Sequence, residues 1–395
     1  MIKKRWSMVV VTVLVFIIFL RNHPIVFAQQ ATFQEENLQG KTVIIHTNDI
    51  HGKVLYGQSG SLGIKAVAAL KERCIKEGAQ VILLDAGDTL VGTTIANYNQ
   101  GSTIVDLMNA VGYDAMVSGN HDYEYGCTQL LTLAKQMGFP MVGANVMDLK
   151  SKKCIFDENV LIEKNGVTYG IFGLVTTTTM TINKPENVEG ILVLDPIVVA
   201  KIQVEKLRAK GAEVIIALSH VGMKAQKETN CMDLIRRVKG IDILIDGHSH
   251  SSLSDCTQAN KNPDLLYVST GCHLKAIGVI VIDGDKNMRA YELTELKLYK
   301  AGIEAEDVGK KDSSDYINKI NQILEDAKKE MPREYHFLIG DTVVGMSYLP
   351  KKLPKIEMIP TYRPMGLANR LPVSLLKEKL LLPDYEYYQL YVTRY

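Results

Sequence analysis

Short apolar runs recur along this chain, and most of them stop at a polar cluster. Val43-Ile44-Ile45, Val81 to Leu84, Ala115 to Val117, Met141 to Ala144, Val214 to Leu218 and Ile243 to Ile245 have the length of buried strands. Between them the spacing changes to that of helices. Val67, Leu70 and Cys74 share one helical face that ends before Gly78, and Cys74 is thereby a core residue. Ile104 to Val111, Leu130 to Met137 (stopped by Gly138 and Pro140) and Asp233 to Val238 follow the same pattern. Asp195-Pro196 opens the clearest helix, with Asp as N-cap and Pro at the first helical position, and Gly211 follows its end. Asn165-Gly166 predicts a hairpin turn between Val160 to Ile162 and Val167 to Leu174. Leu266 to Val268, Ile277 to Ile282 and Arg289 to Leu298 predict further strands, the last pairing with its neighbour. Helices and strands alternate first and strands dominate later, which implies an α+β molecule with layered packing and mixed sheets.

Both ends differ from this body. Lys3, Lys4 and Arg5 precede an apolar run from Met8 to Leu20, and Val26-Phe27-Ala28 has the small residues of a cleavage site. The run falls short of the about 18 to 20 residues of a spanning helix. Residues 1–28 are therefore expected to be a signal peptide, with secretion or a periplasmic or cell-surface location, and with membrane contact only if the signal stays uncleaved. Gln29 to Gln39 reads as a polar spacer before ordered sequence near Lys41. Ser313 to Lys329 is an amphipathic helix with Ile317, Ile320 and Leu324 on one side. Seven of the twelve prolines lie from Pro332 onward, and such density interrupts both helices and ladders, so this tail is expected to be poorly ordered. The net charge of +1 gives no support to a nucleic-acid polymer as partner. The six cysteines contain no C-x-x-C pair and suggest no definite disulfide.

The chemistry lies where the apolar runs stop. Five runs lead into His46-Thr47-Asn48-Asp49-Ile50-His51-Gly52, Asp85-Ala86-Gly87-Asp88, Gly119-Asn120-His121-Asp122, Ser219-His220 and Asp246-Gly247-His248-Ser249-His250. A single Asp-x-His or His-Ser-His is more often structural. Ligands gather beyond the carboxyl ends of strands in such sheets, so five ends of this kind indicate a site. Apart from His46, they use five of the nine histidines. His46 lies within the strand pattern and is read as structural. Asp85 and Asp246 are read as holding loop backbone, and His273 as a residue of the pocket rim. Imidazole, carboxylate and amide without thiolate suit Mn, Zn, Fe or Mg. With two divalent ions, the charges of Asp49, Asp88 and a bridging hydroxide leave the shell net positive by about one charge, which fits a phosphate substrate.

At these residues the chain resembles secreted 5′-nucleotidases of the calcineurin-like metallophosphoesterase superfamily. The matching pieces are Thr47-Asn48-Asp49-Ile50-His51-Gly52, Gly87-Asp88-Thr89, Gly119-Asn120-His121-Asp122, Ser219-His220-Val221-Gly222 and Gly247-His248-Ser249-His250. The resemblance implies a four-layer α/β/β/α sandwich with mixed sheets, and a catalytic domain over 41–300. It implies one metal on Asp49, His51, Asp88 and His250, and a second on Asp88, Asn120, His220 and His248. It further implies that His121 contacts the phosphate, oriented by Glu124 where the family has the shorter Asp, and that a metal-bridging hydroxide is the nucleophile.

The residues from 312 to 330 resemble the family's linker helix, and 331–395 only the beginning of its substrate-binding domain. The expected substrate is a nucleotide or another phosphate ester, acted on by a monomer. The alternatives are a 2′,3′-cyclic-nucleotide or nucleotide-sugar hydrolase, and a truncated, inactive metal-binding domain. Trp6 is the only tryptophan and would leave with the signal peptide. The mature protein is thus expected to show tyrosine-like fluorescence, and a tryptophan band in secreted material would refute cleavage.

Overall fold

The computed structural model describes residues 32–223, 229–256, 265–305 and 314–331. The chain divides into two compact units, 1–324 and 325–395. Of the second, the described residues are 325–331, which include the last turns of the helix Asp315–Glu330. The expected signal peptide and nearly all of the proline-rich tail lie outside the described residues.

Thirteen strands follow in chain order: β1 (Thr42–Thr47), β2 (Gln80–Asp85), β3 (Ala115–Val117), β4 (Met141–Val142), β5 (Val146–Asp148), β6 (Asn159–Lys164), β7 (Val167–Val175), β8 (Ile191–Val193), β9 (Val214–His220), β10 (Ile243–Asp246), β11 (Leu266–Val268), β12 (Ala276–Ile282) and β13 (Met288–Thr294). One sheet has the order β13-β12-β1-β2-β3-β4 and another the order β11-β10-β9-β7-β6, with β5 and β8 as a separate pair. In the first sheet β1 to β4 are parallel while β12 runs antiparallel to β1 and β13. In the second, β7, β9, β10 and β11 are parallel and β6 is antiparallel. Both sheets are mixed, as the alternation of elements implied. Parallel neighbours send their carboxyl ends to one edge, so β1, β2 and β3 deliver their following loops together, and so do β9 and β10.

Burial explains why these strands read as continuous apolar runs. β1, β9 and β12 are buried along their whole length, as strands covered on both faces must be. The helix Ile64–Lys76 packs on β2, and the helix Pro196–Ala209 on β7 and β9. Leu207, Ile215, Ala217, Leu234 and Leu244 share one core cluster beneath the second helix. Cys74 is fully buried in the first helix. His46 is buried within β1, opposite Gly278 of β12. A Cβ at Gly278 would lie 2.1 Å from the His46 Nε2, so glycine there makes room for the ring. Burial lowers the pKa of His46 to about 3, which keeps the ring neutral in the core.

Several expectations need correction. The strand predicted over 289–298 ends at Thr294, and Glu295–Lys300 is helical. Thr294 is extended at φ −79° and ψ 172°, and Glu295 in the first turn suits a helix start. The run Met141 to Ala144 is strand only to Val142, because Gly143 and Ala144 turn to bond Asp157 and Gly173. The spacer ending at Gln39 is anchored to the body from Thr32 onward. Phe33 and Leu38 are buried, and Glu36 pairs with Lys41 and Arg289. The hairpin is as expected, with Lys164 opposite Val167. Asp195 caps its helix by accepting from the N–H groups of Ile197 and Val198. Asp195→Ala is expected to destabilise the protein by about 1 kcal/mol in urea unfolding.

Candidate metal centre

Each candidate side chain is set by the loop that follows a buried strand. β1 ends at Thr47, and Asp49 and His51 follow in left-handed backbone at φ 50° and 48°. Asp88, after β2, has φ 56°, and His248 and His250, after β10, have φ 72° and 52°. Five of the twelve described non-glycine residues with positive φ are thus candidate ligands. That conformation is costly for residues with a Cβ and persists only where surrounding structure enforces it.

The enforcing contacts are visible. Asp122 accepts the backbone N–H groups of Asp88, Thr89, Leu90 and Gly119. Asp85 accepts from the Gly87 N–H and from the hydroxyls of Thr47 and Thr89. Asp246 accepts from Ser219, Tyr267 and the N–H groups of Val221 and Gly222. Asp85 and Asp246 hold loop backbone, in agreement with their reading from the sequence. Asn48 donates to Asp49 and to the Gly271 carbonyl, and accepts from the Thr270 N–H. At Gly119 a Cβ would fall 2.1 Å from Asp88 Oδ1, so only glycine lets that loop approach.

Two groups of ligand atoms result: Asp49, His51 and His250, and Asp88, His220 and His248. Within the first, the Nε2 atoms of His51 and His250 are 3.3 Å apart, and His250 Nε2 is 3.5 Å from Asp49 Oδ1. Two nitrogens bound to one tetrahedral ion at about 2.0 to 2.1 Å would be separated by about the same distance. In the second, His220 Nε2 is 3.1 Å from Asp88 Oδ2 and 3.9 Å from Asp49 Oδ1. Asp88 Oδ2 also lies 4.0 Å from His51 Nε2, so Asp88 stands between the groups.

The second group fits a cation for a further reason. His220 donates Nδ1–H to the Ala86 carbonyl at 2.6 Å, which directs a lone pair on Nε2 toward the carboxylates. That Nε2 and the Oδ1 of Asn120 are buried without a hydrogen-bond partner among the described residues. A buried unpaired polar atom is costly, and a divalent cation on the second group would satisfy the His220 Nε2. The Asn120 backbone carbonyl is meanwhile held by Asn183.

Electrostatics divides the histidines. Burial lowers the pKa of His51 to about 3, and burial together with His220 lowers His248 to about 4. Burial also depresses His250. Neutral imidazole is the metal-binding form. Burial lifts Asp49, with His220 opposing and Asp88 adding to the effect. Burial opposes the ionisation of Asp88 too, but His220 holds it below the ordinary carboxylate range. His220 itself is raised despite burial, because Asp88 and Asp49 surround it. His121 differs from the ligand candidates. Its Nδ1 meets Glu124 Oε1 at 2.5 Å, and that bond raises its pKa to about 9 against burial. Its ring centroid is 5.3 Å from that of His51, and both His121 and Glu124 are exposed.

Eight of the nine site residues singled out in the sequence are linked by these distances, and Asn120 adjoins them through its neighbour His121, whose N–H donates to Asp88. The sequence reading had no role for Asn48, nor for Asn183 and Asn187, which hold the Asn120 and Glu124 carbonyls. Asn48 stood inside a matched motif, but the two others carried no signal. His273, seen only as a rim candidate, has its ring centroid 5.7 Å from that of His51.

The family model described as calcineurin-like phosphoesterase matches residues 42–252. The trifunctional nucleotide phosphoesterase YfkN of Bacillus subtilis is 31% identical over 239 residues, covering 52% of this chain and 16% of that protein. A 5′-nucleotidase of Vibrio cholerae is 30% identical over 221 residues, covering 53% of this chain and 40% of that protein. The chain thus spans less than half the length of either relative. A crystal structure of the calcineurin-like phosphoesterase YfkN from Bacillus subtilis superposes with a TM-score of 0.59 at 26% identity, covering 73% of this chain and 97% of that one.

Metal analysis of the purified chain is expected to give two divalent ions per molecule. Asp88→Asn, between the groups, should lose both, whereas His250→Ala should lose one. Equal retention in the two variants would contradict the assignment.

Proposed function

The chain belongs to the calcineurin-like phosphoesterase family, and we propose that it is an exported, metal-dependent phosphoester hydrolase that releases phosphate from nucleotides. The observation that carries this reading is the pair of ligand groups beside the His121–Glu124 pair. The names of the similar proteins, a nucleotide phosphoesterase and a 5′-nucleotidase, support nucleotides as the substrate class.

Asp49, His51, Asp88 and His250 would hold one ion, and Asp88, Asn120, His220 and His248 the other. Bound there, two divalent ions would supply an acidified water and charge neutralisation at the phosphoryl oxygens. The chain's own residues position and protonate. Asn48 and the His248 N–H hold the Asp49 carboxylate by hydrogen bonds of 2.7 and 3.1 Å. The His121 N–H, at 2.7 Å from Asp88 Oδ1, ties the ligand loop to the loop that carries the imidazole. Glu124 accepts from His121 Nδ1–H, so a second proton on the ring, held at Nε2 in the imidazolium, is the one free to face the substrate. With a pKa raised to about 9, the ring is an imidazolium at neutral pH and can donate to the leaving ester oxygen. Glu124 sits three residues after His121 in a single turn, which lets its longer side chain reach Nδ1.

The test is turnover of AMP and p-nitrophenyl phosphate by the Mn²⁺-loaded chain. Chelator-sensitive release of phosphate is expected, and no turnover of either substrate would overturn the reading. His121→Ala should lower kcat by about a hundredfold or more with metal content intact. Glu124→Gln should lower it by about tenfold, also without metal loss. Loss of metal in the second variant would place Glu124 in the ligand shell instead.

A further inference from the structure

The connection between β7 and β8 carries none of the candidate ligands, but it meets the centre at three points. At its start the Thr176 N–H donates to the His220 carbonyl at 2.9 Å. It then forms two short helices, Thr179–Ile182 and Pro185–Val188, with Asn183 extended after the first at φ −86° and ψ 160°. Asn183 Nδ2 donates to the Asn120 carbonyl at 2.9 Å and to the Thr179 carbonyl at 3.0 Å. Both protons of that amide are thereby used. Asn187 Nδ2 donates to the Glu124 carbonyl at 2.8 Å. The buried Val188 anchors the far end.

The two amides grip one turn at both of its ends. Asn120 and Glu124 flank the turn His121–Tyr123 as its caps. That turn follows β3 of one sheet, whereas Asn183 and Asn187 follow β7 of the other. In both cases the grip is on the main chain, which leaves the held residue's side chain free to act. The Oδ1 of Asn120 is buried without a hydrogen-bond partner among the described residues. The Oε1 of Glu124 goes to His121 Nδ1 at 2.5 Å. Fixing the carbonyls fixes the backbone of the turn, and so the directions in which Asn120, His121 and Glu124 point.

We propose that the β7–β8 connection is a positioning clamp with two separate tasks. Asn183 sets Asn120 for the second ion. Asn187 sets Glu124, and through it His121, for proton transfer to the leaving group. The proposal rests on the phosphoester-hydrolase reading and adds two positioning residues to it, each acting through the residue it holds. The two tasks separate chemically. The ribose oxygen of AMP needs a proton as it leaves, whereas p-nitrophenolate is stable as the anion. A misplaced His121 therefore slows the first ester and spares the second. A misplaced Asn120 weakens an ion that both esters need.

The test compares Asn183→Ala and Asn187→Ala in the metal-loaded full chain. Asn187→Ala should lower kcat for AMP by about tenfold and for p-nitrophenyl phosphate by no more than about twofold, with metal content intact. Asn183→Ala should lower both rates by the same factor at limiting Mn²⁺, with recovery in excess Mn²⁺, and should weaken metal retention against a chelator by about tenfold. The corresponding Asp variants keep the shape without the donor and should reproduce both effects. Equal losses for the two esters in Asn187→Ala, a loss confined to AMP in Asn183→Ala, or unchanged kinetics in both would overturn the clamp. A second readout is independent of turnover. In the Zn²⁺-loaded chain the proton between His121 and Glu124 should give a downfield NMR signal, identified by its loss in Glu124→Gln. That signal should shift or vanish in Asn187→Ala and persist in Asn183→Ala; an unchanged signal in Asn187→Ala would overturn the clamp. The expected NMR and metal-retention pattern in a chain that hydrolyses neither ester would uphold the clamp and refute the hydrolase reading.

Discussion

Two carboxylates, Asp49 and Asp88, are buried within reach of the same imidazole, and the rest of the molecule is arranged around that constraint. Like charges in a poorly hydrated space repel strongly and cannot both remain ionised without a countercharge. In the protein alone, His220 supplies part of it, and Asp49 is driven toward its protonated form. Divalent cations would remove the conflict, take the place of the proton on the His220 Nε2, and turn a liability of folding into a binding site. The two sheets make the crowding possible, because their parallel strands end on common edges.

Around the two buried carboxylates stands a second set with a different task. Asp85, Asp122 and Asp246 take up backbone N–H groups and hydroxyls of the loops, and each spends its acceptors on this. They hold the peptide turns that place Asp88, Asn120 and His220. The left-handed residues show what those turns cost. Few loops would keep five ligand-type side chains in strained backbone without such bracing. Deleting one brace would thus disturb several ligand positions together, since Asp122 alone holds four N–H groups from two loops.

The same environment separates the histidines by function. Burial keeps His51, His248 and His250 neutral, which suits cation binding. His121 is exposed and has an acid partner, so it carries a proton where those three do not. Environment, and not residue type, makes one imidazole an acid and its neighbours ligands.

Much of this was legible in the amino-acid sequence. Buried parallel strands require continuous apolar runs, and the polar clusters at their ends held eight of the nine candidate residues; Glu124 came from the family resemblance. Asp195-Pro196 and Asn165-Gly166 marked a helix start and a hairpin, because caps and tight turns depend on local backbone chemistry alone. Where local signals competed, the reading failed. Alternation continued past Thr294 although a helix begins there, and the polar segment before Lys41 hid Phe33 and Leu38, which find their core across the chain. Only tertiary structure could decide the rest. Distances such as 3.3 Å between His51 and His250, nearly two hundred residues apart in sequence, depend on how two sheets meet. So does the assignment of Asn48, Asn183 and Asn187 as braces, since an amide's partner is set by what folding brings beside it. The sequence determined which chemistry the chain can hold, because ligand atoms are covalent facts; the fold decided which atoms share an ion, because that is a matter of ångströms.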